Sequence, residues 1–164
     1  MPSEQLLRVY GDFLFLAFRS THHQPFNVAN LRAAFEPAIE LGQYHIFRFD
    51  GVPRGLFTFA WLDEHEARSF VSGIGPDPNG WRSGDQLWIM DFIAPYRGLT
   101  SGMVRWMTKP GNLPSSKFWF TRNQLGDREN QVTHIDLDST SDKSRIYSKD
   151  QFLSDPSIAR GEQF

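Results

Sequence analysis

Apolar residues along the chain recur at two different spacings, and the switches between them predict the elements. From Glu4 to Arg19, Leu6, Leu7, Tyr10, Phe13 and Leu14 fall at helical intervals, and the apolar run Phe13 to Phe18 implies burial on more than one side. The segment "STHHQPF" breaks this pattern: Pro25 disfavours helix at Gln24, so His22 and His23 fall in or beside a turn. A second helix is expected behind an Asn27 cap, with Val28, Leu31, Phe35 and Ile39 on one face, a kink at Pro37 and Gly42 as its stop. "QYHIFRF", Gln43 to Phe49, alternates as a strand. Asp50-Gly51 suits a tight turn, and "GLFTFAWL", Gly55 to Leu62, returns as the hairpin partner. Asp63 stands three residues before Glu66 with capping-box spacing, which predicts a short helix from Glu64 to about Val71.

Glycine and proline crowd residues 73–84, which lead into "GDQLWIMDFIAPYRG", Gly84 to Gly98. The branched and aromatic residues from Leu87 to Ala94 read as a strand buried on both faces, and Asp91 interrupts them. A lone ionised carboxylate in such a place is costly, so a partner is expected from elsewhere in the chain. After Pro95 comes a helix carrying Met103, Val104, Trp106 and Met107, ended by Pro110 and Gly111. "KFWFT" and "QVTHIDL" read as two more strands joined by a turn around Gly126-Asp127. "DSTSDKSR", Asp138 to Arg145, reads as an exposed linker. The order of elements is a mixed α/β pattern around one central sheet, with residues 1–138 as a single domain and 139–164 as a polar C-terminal tail.

With 164 residues, 15% of them aromatic, the chain suits one globular unit with a bulky core. A net charge of -2 and a pI near 6.2 give no global reason to expect nucleic-acid binding. The absence of cysteine excludes disulfides, thiolate metal sites and a cysteine nucleophile. The Phe13–Phe18 run is too short to cross a bilayer and lacks the flanks of a signal peptide, so a soluble, cytoplasmic protein is expected.

Five histidines are candidates for the partner of Asp91. His65 lies among charged residues on an expected helix and reads as solvated; His45 and His134 lie on strands and read as packed structural histidines. His22 and His23 stand in a polar, proline-marked turn, where a rigid scaffold presents reactive groups. A histidine beside a buried carboxylate gains basicity and a fixed ring orientation, the requirements of a general base. Spacing alone does not choose between the two, and Asp91 could instead be a structural carboxylate bound to backbone amides or an arginine. From Phe92 to Gly126 there is no acidic residue, while Arg97, Arg105, Lys109, Lys117 and Arg122 are present, so the stretch is either a local cationic face or an ordinary solvated surface.

"SGDQLWIMDFIAPY", Ser83 to Tyr96, resembles the signature of the RTX toxin-activating lysine acyltransferases: Ser-Gly-Asp, a Trp, a hydrophobic pair, Asp, an aromatic, then Ile-Ala-Pro-aromatic. The Ser20-x-x-His23 turn, Pro37-Ala38-Ile39 followed by Gln43-Tyr44, and the hairpin from Gly51 through Ala60-Trp61 are similar to the same family. The likeness covers roughly Ser20 to Arg122. It departs where the family has Trp-Pro after its histidine and this chain has Pro25-Phe26-Asn27, and where Gln86 replaces a basic residue after Gly-Asp.

The resemblance implies a GNAT-like acyltransferase fold and transfer of a fatty acyl group from an acyl-acyl carrier protein, a phosphopantetheine thioester, to internal lysines of a protoxin. It implies no permanently bound cofactor or metal. It casts His23 as general base, Asp91 as the group that orients and stabilises its ring, and Ser20 as a hydrogen-bonding partner or the nucleophile of a double displacement. A base is needed because a lysine with an ordinary pKa of about 10.4 is neutral in on the order of one molecule in a thousand at pH 7. "YRGLTSGM", Tyr96 to Met103, offers glycines and a helix start for the donor's phosphate, through Arg97, Gly98 and Gly102. The cationic stretch would meet an acidic carrier protein, and a homodimer is implied. The alternatives are an acyltransferase with another amine acceptor and a catalytically silent module that binds a carrier or client protein.

Overall fold

A computed structural model describes residues 1–121 and 131–161. Among the described residues the elements follow in chain order: α1 (Glu4–Ala17), α2 (Val28–Leu41), β1 (Tyr44–Phe49), β2 (Val52–Leu62), α3 (Glu64–Val71), β3 (Gln86–Ile93), α4 (Leu99–Met107), β4 (Lys117–Thr121), β5 (Gln131–Asp136), β6 (Ser144–Ser148), α5 (Lys149–Ser154) and α6 (Pro156–Ala159). The strands form one open sheet in the order β1-β2-β3-β4-β5-β6. β1 with β2, β4 with β5 and β5 with β6 are antiparallel, whereas β3 and β4 run parallel and pair at Trp88↔Trp119. This mixed α/β architecture is the expected one and is compatible with a GNAT-like fold. The turn expected around Gly126-Asp127 lies outside the described residues.

Two compact units divide the chain. The first comprises residues 1–59 and 90–112. Its core joins Val9, Phe13 and Leu16 of α1 to Phe35 and Ile39 of α2, over Leu56 of β2 and Ile93 of β3. Phe13 meets Phe35 and Tyr44 edge to face, with ring centres 5.2 and 5.4 Å apart. Asn27 and Asn30 cap α2 reciprocally, and Gly42, at φ 68°, ends it. The helix runs on through Pro37 to Leu41, because Ala38 and Ile39 are buried and hold the last turn although proline removes one of its hydrogen bonds. Asp50 and Gly51 both take positive φ, the conformation of a two-residue hairpin, so β2 pairs from Val52 onward, three residues before the start expected from the sequence. At Gly55 a methyl group would lie 2.7 Å from Met103 Sδ and 2.9 Å from the Ile93 carbonyl oxygen, so glycine lets α4 sit directly on the strand.

The second unit comprises residues 60–89 and 113–164. Trp88 stacks on Trp119 at 5.3 Å, and the fully buried Phe152 stands edge-on to both. Phe152 belongs to α5, so the stretch read from the sequence as a polar tail supplies β6, α5, α6 and one of the largest buried rings. Ser148 and Gln151 form a capping box that starts α5. Within the stretch expected to be a linker, residues 140–145 are exposed and the last two begin β6.

Candidate active site

The site is built where α1 ends. Beyond Ala17 the backbone makes successive turns: Ser20 N–H donates to the Ala17 carbonyl at 3.1 Å, those of His23 and Gln24 to the Ser20 carbonyl at 3.1 Å each, and that of Phe26 to the His23 carbonyl at 3.0 Å. This coil brings the Ser20 and His23 side chains together, with Ser20 Oγ 2.7 Å from His23 Nδ1. On its other side the imidazole meets β3, where His23 Nε2 lies 2.7 Å from Asp91 Oδ1, a contact that spans 68 positions of sequence. A carboxylate oxygen accepts, so Nε2 carries the shared proton, Nδ1 is the acceptor, and the Ser20 hydroxyl donates to it. Serine, histidine and aspartate are thus joined in the order of a hydrolase triad, with the roles of the ring nitrogens exchanged.

Burial makes this set rigid. His23 is 2% exposed and Asp91 6%. The Asp91 backbone N–H donates to Thr58 Oγ1 at 3.0 Å, and Thr58 itself is fully buried on β2. Phe26 and Phe35 pack against the imidazole at 5.1 and 5.5 Å between ring centres, and the exposed His22 stands edge-on to it at 4.9 Å. Burial holds the His22 imidazole below the ordinary histidine pKa and His23 lowers it further, while Asp91 acts in the opposite direction. Among the described residues, His22, His23 and Asp91 also form a cluster able to hold a metal ion, one ligand atom from each lying within 4.8 Å of the others.

The structure therefore brings Ser20, His23 and Asp91 together. It gathers Arg97, Gly98 and Gly102 elsewhere in the same unit, at the start of α4, where all three are exposed and none bonds to the serine–histidine–aspartate set. Gly98 caps α4 with φ 80°, and its carbonyl accepts from the Ser101 hydroxyl at 3.1 Å. Arg105 and Lys109 are exposed in and just beyond the last turn of α4, and Lys117 is exposed on β4; Arg122 lies outside the described residues.

The remaining histidines take the structural roles expected of them. His65 is exposed on α3. His45 stacks on Trp106 at 4.2 Å, and burial lowers its pKa. His134 is buried against Trp119, and burial pushes it down to about 4. Thr58 was not legible as a site residue, although it is the only hydroxyl in the apolar run "GLFTFAWL", the same kind of interruption that singled out Asp91.

A buried imidazole bonded to a serine on one side and a carboxylate on the other is an arrangement chemically able to move protons during group transfer. Residues 3–135 match the RTX toxin acyltransferase family (HlyC), and the chain belongs to that family. It is 35% identical over 89 residues to the protein-lysine palmitoyltransferase CyaC of Bordetella bronchiseptica, covering 52% of this chain and 47% of the relative. It is 28% identical over 136 residues to the leukotoxin-activating lysine-acyltransferase LtxC of Aggregatibacter actinomycetemcomitans, covering 82% and 79%. The RTX-II toxin-activating lysine-acyltransferase ApxIIC of Actinobacillus pleuropneumoniae is 35% identical over 89 residues, covering 54% and 56%. In the matches at 35% identity the chain spans about half the length of the relative.

Proposed function

We propose that this protein is a protein-lysine fatty acyltransferase that moves an acyl group from acyl-acyl carrier protein to internal lysines of an RTX protoxin. The observation that carries this reading is the hydrogen-bonded line Ser20–His23–Asp91, buried in a chain of the RTX toxin acyltransferase family. The lysine amine attacks the thioester carbonyl; a C–N bond forms, the C–S bond breaks, and the sulfur leaves as the carrier's thiol by taking from the His23 imidazolium the proton that the amine shed. The proton shed by the amine goes to His23. Because Ser20 Oγ occupies Nδ1 and is only partly buried, the Ser20 proton passes to Nδ1 as the hydroxyl takes the amine's. Asp91 accepts from Nε2, keeps the ring in the receptive tautomer and stabilises the imidazolium. The same 2.7 Å contact favours a second reading, in which Ser20 Oγ itself attacks the thioester and a serine ester then acylates the lysine.

The donor's phosphate meets Arg97, Gly98 and Gly102 at the start of α4, and the exposed Arg105 and Lys109 face an acidic carrier protein, an attraction that salt weakens. The reading places the protein in the cytoplasm; no helix among the described residues is long and apolar enough to cross a membrane. It also makes the protein a homodimer. Leu7, Leu14 and Phe18 stay exposed on and just beyond α1 at helical spacing, an apolar stripe that a second copy would cover.

The test is to incubate the purified protein with fatty acyl-carrier thioesters, alone and with lysine peptides of a protoxin or other amines, and to follow acyl mass. Transfer to lysine supports the proposal. A serine ester formed without acceptor selects the two-step route. Transfer to other amines alone overturns the acceptor, and carrier binding without turnover overturns the activity in favour of a binding module.

A further inference from the structure

We propose that His22, His23 and Asp91 are a binding site for a divalent transition metal such as Zn2+, and that metal bound there switches the site off. The inference rests on the proposed role of the His23–Asp91 pair for its regulatory half only; the binding half stands on geometry.

Two imidazoles and one carboxylate are a complete protein ligand set for zinc, which takes three such ligands and leaves a fourth position to water. Here one ligand atom of each residue lies within 4.8 Å of the others. Two ligand atoms held about 2.1 Å from a tetrahedral centre are about 3.4 Å apart, so His23 Nε2 and Asp91 Oδ1, now at 2.7 Å, need to part by well under an ångström to admit the ion between them. The ion takes the place of the proton on Nε2, which moves to Nδ1 and is donated to Ser20 Oγ; the bonds formed are metal–Nε2 and metal–Oδ1. His22 supplies the third ligand. It is the one exposed member, adjacent in sequence to His23, with its ring edge-on to the His23 ring at 4.9 Å between centres.

The other side of the His23 ring is already ordered. Ser20 Oγ lies 2.7 Å from Nδ1, so the imidazole that meets a metal at Nε2 has its remaining nitrogen held by the serine oxygen, the arrangement that orients histidine ligands. Phe26 and Phe35 close the ring in. The consequence for activity follows from the same atoms. Metal on Nε2 removes Asp91 as acceptor and lowers the basicity of the ring, so Nδ1 no longer draws the proton from Ser20. Zinc therefore competes with catalysis, and His22 makes the chain sensitive to it without taking part in acyl transfer.

Binding is measured first, with no substrate present. The protein is titrated with Co2+ in the presence of a weak chelator, following the visible absorption of tetrahedral cobalt, and with Zn2+ by calorimetry. One ion per chain, with a tetrahedral cobalt spectrum, is expected. His22→Ala and Asp91→Asn should each weaken binding by at least the roughly 10–100-fold that losing a partner behind a metal ligand costs. Acyl transfer is then assayed with Zn2+ and after its removal by EDTA. Wild type should lose activity with zinc and regain it with chelator, while His22→Ala keeps its basal activity and resists zinc. Equal zinc affinity in wild type and His22→Ala overturns the site, as does the absence of stoichiometric binding. Loss of activity on chelation overturns the inhibitory role, because the metal would then be required. A protein that binds the metal through these residues yet transfers no acyl group retains the site and refutes the acyltransferase reading instead.

Discussion

Replacing Asp91 by Asn tests the coupling between β3 and the turn after α1. The substitution keeps the size of the side chain and removes its charge, so the contact at 2.7 Å from His23 Nε2 becomes one between neutral groups. A hydrogen bond to a charged group is worth about 1.5–3 kcal/mol, and at about 1.4 kcal/mol per tenfold this corresponds to roughly 10–150-fold in rate when the imidazolium loses its acceptor. A second loss adds to it. An asparagine that turns its NH2 toward Nε2 moves the ring proton to Nδ1, which can then no longer accept from Ser20, and the analogous change in a hydrolase triad costs about 10⁴-fold. The expected fall in kcat is therefore between about 10² and 10⁴, with little change in KM, because the amide touches neither donor nor acceptor. Single-turnover transfer from acyl carrier thioester to a lysine peptide measures it, and circular dichroism confirms that the variant is folded. A folded Asp91→Asn protein with the wild-type rate would refute the reasoning.

Thr58→Val leaves the buried Asp91 N–H without its acceptor and should cost about 1–3 kcal/mol by urea denaturation, while Thr58→Ser retains stability; equal stability of the valine variant would remove Thr58 from the site's support. His134 is pushed down to about 4, below the ordinary 6.5 of an unfolded chain, so the unfolded state takes up the proton first. Its contribution to stability is complete above about pH 6.5 and is lost as pH falls toward 4, up to about 3 kcal/mol. Denaturation at pH 7 and pH 4 should show a smaller difference in His134→Gln, and an unchanged difference would contradict this. Phe152→Ala opens a cavity beside Trp88 and Trp119 and should cost about 3–5 kcal/mol; a cost under about 1 kcal/mol would mean that the C-terminal elements add little to the second unit.

The elements through β5 were legible because their signals were local: helical spacing in α1 and α2, alternation in β1, and capping at Asn27 and Asp63. Asp91 was legible for an energetic reason, since a carboxylate in "LWIMDFIA" demands a partner. Its partner was not legible from spacing, because contacts between the end of α1 and β3 leave no periodic trace; family resemblance selected His23 over His22. Thr58 escaped because threonine is an ordinary strand residue, and a buried one differs only in what its hydroxyl accepts. β6, α5 and α6 escaped because they are short: β6 is mostly exposed, α5 buries one phenylalanine rather than a stripe, and α6 is only four residues long although it buries Ile158 and Ala159. Pro37 did not hide α2, whose cap at Asn27 and stop at Gly42 were both legible.

The central claim is that the imidazole of His23 is the base that draws the proton from the attacking amine by way of Ser20, and His23→Ala tests it most directly. Acyl transfer to lysine by the folded variant should fall by about 10²–10⁴, the usual worth of a general base. A folded His23→Ala protein that acylates lysine at the wild-type rate would contradict the account.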